Sequence, residues 1–290
     1  MLRKPHWFKR KFIANEELGR VISSIRQYGL HTVCHEARCP NINYCFSHGQ
    51  ATFLILGDVC TRSCRFCAIK KGKPKPLDLD EPKRVAKAAK QMSLSYVVVT
   101  SVTRDDIPDG GAKIFAMTID EIRRQLPEAG IEVLTPDFMG DIGALDMVLS
   151  RRPDVFNHNV ETVPRLYPVA RPQADYARSL NVLSYAAKNY DSVVKSGFMV
   201  GLGETDDEIY DLMRDLRNVG VQVVTIGQYL QPSPKHLPIE RFVTPEKFAE
   251  YAEYGERELG FVRVFSGPLV RSSFMAQEIW RKAREKAAAG

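Results

Sequence analysis

Beyond position 50 the chain alternates short β-rich runs with longer segments of helical period, and no other feature narrows its fold so far. The runs are 52–56, 96–101, 131–135, 155–159, 193–200 and 223–229. Between and after them lie segments with apolar residues at helical spacing: 82–92, 113–126, 142–151, 176–188, 206–219 and 245–259. Strands joined by helix-length crossovers have to pair in parallel, and runs this continuous in Val and Ile suit strands covered on both faces. Pro82 and Pro245 fall where a first-turn proline is tolerated, and Thr244 and Asp206 are expected caps. Six β/α units predict a partial or full (β/α) TIM-type barrel. Polar residues cluster just after the strands, at 60–67, 100–106, Asp137, Asn159–Glu161 and 201–204, the end where barrels and open parallel sheets place their active sites.

The cysteines are the second constraint. All six lie between Cys34 and Cys67, and the remaining C-terminal positions have none. A disulfide framework belongs to small secreted domains, whereas 290 residues with 44% hydrophobic content can bury a large core. Clustered thiols in such a chain read as metal ligands. Cys60, Cys64 and Cys67 form C-x3-C-x2-C directly after the first run. Three thiolates can hold three irons of a [4Fe–4S] cluster and leave the fourth iron open, which a reactive cluster needs. Cys34, Cys39 and Cys45 form C-x4-C-x5-C upstream of that run. A zinc clip is the competing reading of either set, although structural zinc sites usually pair their ligands as C-x2-C.

The C-x3-C-x2-C loop resembles that of the radical S-adenosylmethionine superfamily, and the triad upstream of it resembles the auxiliary-cluster motif of lipoyl synthases. The likeness extends through Arg3-Lys-Pro-His-Trp7, Ala51-Thr-Phe-Leu-Ile-Leu-Gly57, Thr100-Ser-Val-Thr-Arg-Asp-Asp106, Gly201-Leu-Gly-Glu-Thr205 and Gly227-Gln-Tyr-Leu-Gln-Pro-Ser233. Arg271-Ser-Ser-Phe274 resembles the family's Arg-Ser-Ser-Tyr signature, with Phe274 in place of tyrosine. The resemblance implies two [4Fe–4S] clusters, one on Cys60, Cys64 and Cys67 that binds S-adenosylmethionine and one on Cys34, Cys39, Cys45 and Ser273 that serves as sulfur donor. It implies insertion of sulfur at C6 and C8 of a protein-bound octanoyl-lysine, with an octanoylated lipoyl-carrier domain as substrate and a low-potential electron donor. No side chain is expected to act as a catalytic acid or base, because unactivated C–H bonds lie beyond such groups. Cofactor contacts are expected from Phe66, Asn159, Glu161, Arg171, Lys195, Gly201 and Glu204, with Arg171 or Lys195 meeting the methionine carboxylate. The other reading is a radical enzyme that uses the first triad's cluster structurally or for electron transfer.

The expected layout is an N-terminal extension over 1–50 carrying the auxiliary cysteines, a barrel over 51–265, and a C-terminal segment over 266–290 that closes on the auxiliary cluster, with a helix starting near Met275. Net charge is +6, and Arg3, Lys4, Lys9, Arg10 and Lys11 form a basic arm with no acid among them. Such an arm is either a frayed, solvated terminus or a docking patch for an acidic partner. Nucleic acid and membrane are not expected as partners, since no recognition fold, bilayer-length apolar run or secretory signal accompanies the patch. The expected location is the cytoplasm.

Overall fold

The structure is a computed structural model that describes residues 3–274 and 276–278. Its ten strands in chain order are β1 (His31–Thr32), β2 (Thr52–Ile55), β3 (Val59–Cys60), β4 (Lys70–Lys71), β5 (Tyr96–Ser101), β6 (Gly130–Leu134), β7 (Val155–Asn157), β8 (Val193–Val200), β9 (Val223–Gln228) and β10 (Arg263–Gly267). Eight of them make one sheet in the order β1-β2-β5-β6-β7-β8-β9-β10, with β3 and β4 forming a separate two-stranded piece. From β2 to β10 every neighbour is parallel, and β1 alone runs antiparallel, pairing His31 with Leu54 and Thr32 with Phe53. Sequential parallel order with helical crossovers is the construction of a β/α barrel. Here β1 and β10 are not paired with each other, so the barrel is partial.

The helices are α1 (Glu16–Gln27), α2 (Val33–Glu36), α3 (Ile42–Ser47), α4 (Glu81–Gln91), α5 (Ala112–Gln125), α6 (Ile142–Leu149), α7 (Tyr167–Ala170), α8 (Tyr176–Asn189), α9 (Asp206–Asn218) and α10 (Pro245–Glu253). The six expected crossover helices are all present, with ends within two residues of expectation except the last. There α10 gives way to a wider-wound turn over Tyr254–Glu258. Thr244 caps α10 as expected by accepting from Lys247 N–H. For α9 the cap is Thr205, in a reciprocal capping box with Glu208. Asp206 is instead the first helical residue, where its carboxylate meets Arg241 at 2.7 Å and Lys247 at 3.0 Å.

Alternation along the strands separates two environments. Val97, Val99, Ile131, Val133, Phe156, Val194, Val224 and Ile226 join one continuous core beneath the helices. The intervening residues face inward. On that side lies a buried polar network: Lys195 Nζ meets Glu132 Oε1 at 2.9 Å, Asn157 Nδ2 donates to the same oxygen at 3.0 Å, and the Tyr96 hydroxyl donates to Oε2 at 2.9 Å. Lys195 and Glu132 are both fully buried. Further along, the inward face opens into a cavity of about 900 Å³.

Two elements were not legible as part of the barrel. β10 crosses the expected boundary at 265, and the N-terminal region supplies β1 to the main sheet. The helix start expected near Met275 lies outside the described residues; 276–278 are helical, and Ala276 clusters with Tyr96, Val98 and Val155. Among the described residues no helix is long and apolar enough to cross a membrane.

Candidate active site

The loop after β2 carries Cys60, Cys64 and Cys67 and is pinned from several directions. β3 pairs with β4 across the loop's base, and Gly72 N–H returns to the Cys60 carbonyl at 3.0 Å. Thr61 N–H donates to Thr103 O at 3.1 Å, Arg65 N–H to Ala170 O at 2.9 Å, and Leu237 N–H to Arg65 O at 3.1 Å. Thr103 N–H points at Cys60 Sγ at 3.4 Å, and His236 Nε2 lies 3.1 Å from Cys67 O. At the centre is Arg62, buried at 5% exposure. Its guanidinium holds Asp105 in a fork at 2.7 and 2.9 Å and Asp137 at 2.6 Å, tying the loop to the ends of β5 and β6. Burial works to raise the Asp137 carboxyl, but the Arg62 guanidinium outweighs it and holds the group below its usual range.

The other triad is built on two short helices. Thr32 caps α2 by accepting from His35 N–H, which places Cys34 on a buried turn. Arg38 adopts a left-handed conformation (φ 53°) that reverses the chain before Cys39, and Cys39 N–H closes onto Cys34 O at 3.0 Å. Cys45 sits on α3. Asn41, at the start of α3, donates through Nδ2 to Leu269 O at 2.6 Å and so ties the C-terminal segment to the triad. There Arg271–Phe274 form a turn closed by Phe274 N–H to Arg271 O at 2.9 Å.

All six cysteines are free thiols. All six and Ser273 line the single 900 Å³ cavity. Burial pushes four of the thiols up, Cys34 to about 11, Cys45 and Cys67 to about 12, and Cys64 in the same direction. Those four therefore stay protonated near neutral pH unless a bound cation offsets the lost hydration, as iron does. Among the described residues no three His, Cys, Asp or Glu side chains converge tightly enough for a single metal ion. A four-iron cluster takes its thiolates at separate corners, so one triad per cluster suits a wider spacing.

The polar wall between the triads contains groups with donors or acceptors left over. Asn159 Nδ2 donates to Glu161 Oε1 at 3.1 Å and to Ser272 Oγ at 2.6 Å, while its Oδ1 is buried without a partner. Arg171 gives Nη1 to the carbonyls of Asn159 and Val160 and to the Tyr167 hydroxyl, and its Nε is likewise unpartnered. Burial drives His158 down to about 4, so the ring is neutral. Its Nδ1 lies 2.9 Å from Thr135 O, and Nε2 has no partner. Burial raises the Glu161 carboxyl, against the pull of Arg171 and Asn159. Orphaned buried polar atoms are rare, and several on one cavity wall fit a polar guest such as an amino-acid-bearing nucleoside.

Of the expected contact residues, Phe66, Asn159, Glu161 and Arg171 line the cavity, whereas Lys195, Gly201 and Glu204 are not among its lining residues. Lys195 is engaged with Glu132 in the barrel floor. Glu204 accepts from the N–H groups of Gly201 and Leu202 at 2.6 and 2.9 Å and so folds its own turn. Gly201 has φ +100°, and a Cβ there would meet Gln228 Nε2 at 2.1 Å. Arg104 and Asp106 pair with each other at 2.8 and 2.9 Å, while Asp105 serves Arg62. Sequence reasoning assigned no role to Arg62 or Ser272. Arg62 lies inside the cysteine motif, but its acidic partners are distant in the chain and announce nothing.

An open three-cysteine loop at the C-terminal end of a partial parallel barrel defines a radical S-adenosylmethionine enzyme, and the family described as the Radical SAM superfamily matches residues 54–216. Solved structures agree on the fold. The hydrogenase maturase HydG aligns with a TM-score of 0.60 at 14% identity, over 73% of this chain and 50% of its own. Methylornithine synthase aligns at 0.52 with 17% identity, over 80% and 64%. The chain thus spans about half to two thirds of those longer proteins. Among curated relatives, the lipoyl synthase of Rubrobacter xylanophilus is 55% identical over 98% of this chain and 88% of its own length. That of Caldicellulosiruptor saccharolyticus is 54% identical over 95% and 97%. The chain belongs to the lipoyl synthase family. It is accordingly a radical S-adenosylmethionine sulfurtransferase, with an iron–sulfur cluster and S-adenosylmethionine as cofactors.

Proposed function

We propose that this enzyme inserts sulfur at C6 and C8 of an octanoyl-lysine carried by a lipoyl-carrier domain, using two [4Fe–4S] clusters, one on each cysteine triad. The observation that carries this reading is that both triads and Ser273 face one cavity. When bound, the clusters and S-adenosylmethionine supply a 5′-deoxyadenosyl radical from the Cys60, Cys64 and Cys67 side and sulfide from the Cys34, Cys39, Cys45 and Ser273 side.

The chain's own residues bind, orient and exclude water. Arg171 holds a buried positive charge beside Cys64, suited to a carboxylate at the open iron corner. Asn159 and Glu161 offer acceptors to an amine or to ribose hydroxyls, and the Phe66 ring offers a flat face to adenine. Apolar walls from Val33, Ala51, Val98, Val102, Leu134 and Phe198 suit an aliphatic chain and keep out water that would divert a carbon radical. Lys195 stays in the barrel floor with Glu132, and Glu204 folds the turn at Gly201. A low-potential donor protein supplies electrons. Lys9 and Lys11 are exposed and available to an acidic carrier.

The test is anaerobic reconstitution with iron and sulfide counting, followed by reductant, S-adenosylmethionine and an octanoyl-lysine peptide, read by mass spectrometry. Two clusters and a peptide gaining two sulfurs are expected. Cofactor cleavage without sulfur transfer would leave a radical enzyme of another substrate. Zinc in place of iron would end the reading altogether.

A further inference from the structure

Residues 8–13, which the sequence presents as part of a basic arm, form a strap tied at both ends. Phe8 is buried and packs on Phe242, with ring centroids 5.5 Å apart. At the other end Ile13 N–H donates to Asn43 Oδ1 and Asn43 Nδ2 donates to Ile13 O, both at 2.8 Å, which fastens the strap to the helix that carries Cys45. Between the two ties, the Arg10 guanidinium lies 4.5 Å from the Tyr44 ring and 5.3 Å from the Phe274 ring. Those rings are 6.0 Å apart. Tyr44 precedes Cys45 and Phe274 follows Ser273, so one guanidinium spans the neighbours of a triad cysteine and of the serine. Arg10 makes no ion pair among the described residues, and although the residue is exposed its guanidinium is engaged with these two rings.

We propose that Arg10 is a positioning residue: by stacking on Tyr44 and Phe274 it bolts the Ser273 turn against the Cys45 helix and keeps the fourth donor beside the three thiols. This rests on the reading of Cys34, Cys39, Cys45 and Ser273 as one cluster site. A guanidinium held close to two neighbouring rings attracts both at once, so it can reinforce the contact of two elements that share no direct hydrogen bond at that point. Other ties of the C-terminal segment are Asn41 to Leu269 O, Asn159 to Ser272 Oγ and the direct contact of the Tyr44 and Phe274 rings. Loss of Arg10 removes the cation that reinforces the Tyr44–Phe274 contact and loosens the Phe274 end of the turn. Phenylalanine at 274 is compatible with this role, since the contact uses the ring face and needs no hydroxyl.

The test compares Arg10→Gln, Arg10→Lys, Phe274→Leu and Phe274→Tyr in the full chain. Amide hydrogen exchange over 268–274 reads the bolt directly, whether or not a cluster is bound. In Arg10→Gln it should quicken roughly 5- to 30-fold, the loss of two ring contacts. Arg10→Lys should restore part of the protection and Phe274→Tyr all of it. Arg10→Gln combined with Phe274→Leu should be no worse than the larger single effect, because both remove one coupled contact. Iron release to a chelator, followed in a Cys60→Ala/Cys64→Ala/Cys67→Ala background so that all iron belongs to the first triad, should accelerate in the same order. Unchanged exchange in Arg10→Gln, or strictly additive double effects, would overturn the proposal. Faster exchange in a chain whose first triad holds no iron would leave the bolt standing and refute the two-cluster reading instead.

Discussion

Replacing Lys195 with methionine separates two roles that sequence and structure assign to it. The family resemblance makes it, with Arg171, a candidate partner for the cofactor's carboxylate. The structure instead buries its ammonium completely, 2.9 Å from the equally buried Glu132. Removing one member of such a pair leaves the other charge uncompensated and costs about 3–5 kcal/mol. Glu132 would retain the donors of Asn157 and Tyr96, so the lower half of that range is expected. With a urea dependence of about 3 kcal/mol/M, the unfolding midpoint should fall by roughly 1 M. Adding Glu132→Gln should recover most of the loss, because the amide still accepts from Tyr96 while no buried charge remains. Cofactor affinity of the folded Lys195→Met enzyme should be unchanged in equilibrium dialysis. A midpoint shift below about 0.3 M together with a tenfold loss of S-adenosylmethionine affinity would refute this and return Lys195 to the cofactor site.

The remaining predictions address the cluster loop, a glycine, a histidine and the arm. Arg62→Gln leaves the buried Asp137 with only the more distant Arg178 guanidinium, 3.7 Å away, as its cation among the described residues, so about 2–4 kcal/mol of local stability is lost and iron on the Cys60 triad should fall selectively in a metal count. Gly201→Ala forces a Cβ against Gln228 Nε2 and the Arg241 carbonyl at a left-handed φ, and thermal unfolding should show a loss of about 2 kcal/mol or more. His158 is held at about 4 by burial, below its unfolded value near 6.5. The unfolded chain then binds the proton that the folded one refuses, so this contribution is complete above about pH 6.5 and is lost as pH falls towards 4. The window spans about 3 kcal/mol, and His158→Gln should flatten it in urea titrations across that range. Lys9→Glu with Lys11→Glu should weaken carrier binding in a salt-dependent way, measured by calorimetry at two ionic strengths; equal affinity at low salt would remove the arm from the docking surface.

What could be read from the chain alone was whatever local pattern and covalent spacing control. β-rich runs separated by helical period leave parallel pairing as the outcome, and the six crossovers lie where that period put them. The cysteine spacings define two triads because loops of two to five residues bring thiols together whatever surrounds them. What the tertiary structure decided were contacts between residues far apart in the chain. Arg62 finds Asp105 and Asp137, Asn159 reaches Ser272, and Arg10 bridges Tyr44 and Phe274. Lys195 shows the difference. The family resemblance offers it as a cofactor contact, and strand alternation turns it into the barrel floor, where Glu132 on β6 is its partner. Gly201 and Glu204 likewise shape a turn and lie outside the cavity lining. A side chain's direction is set by pleat, register and packing, and its partner by which strands become neighbours. Spacing along the chain carries neither, so the two cysteine triads were legible in the sequence and the groups packed around them were not.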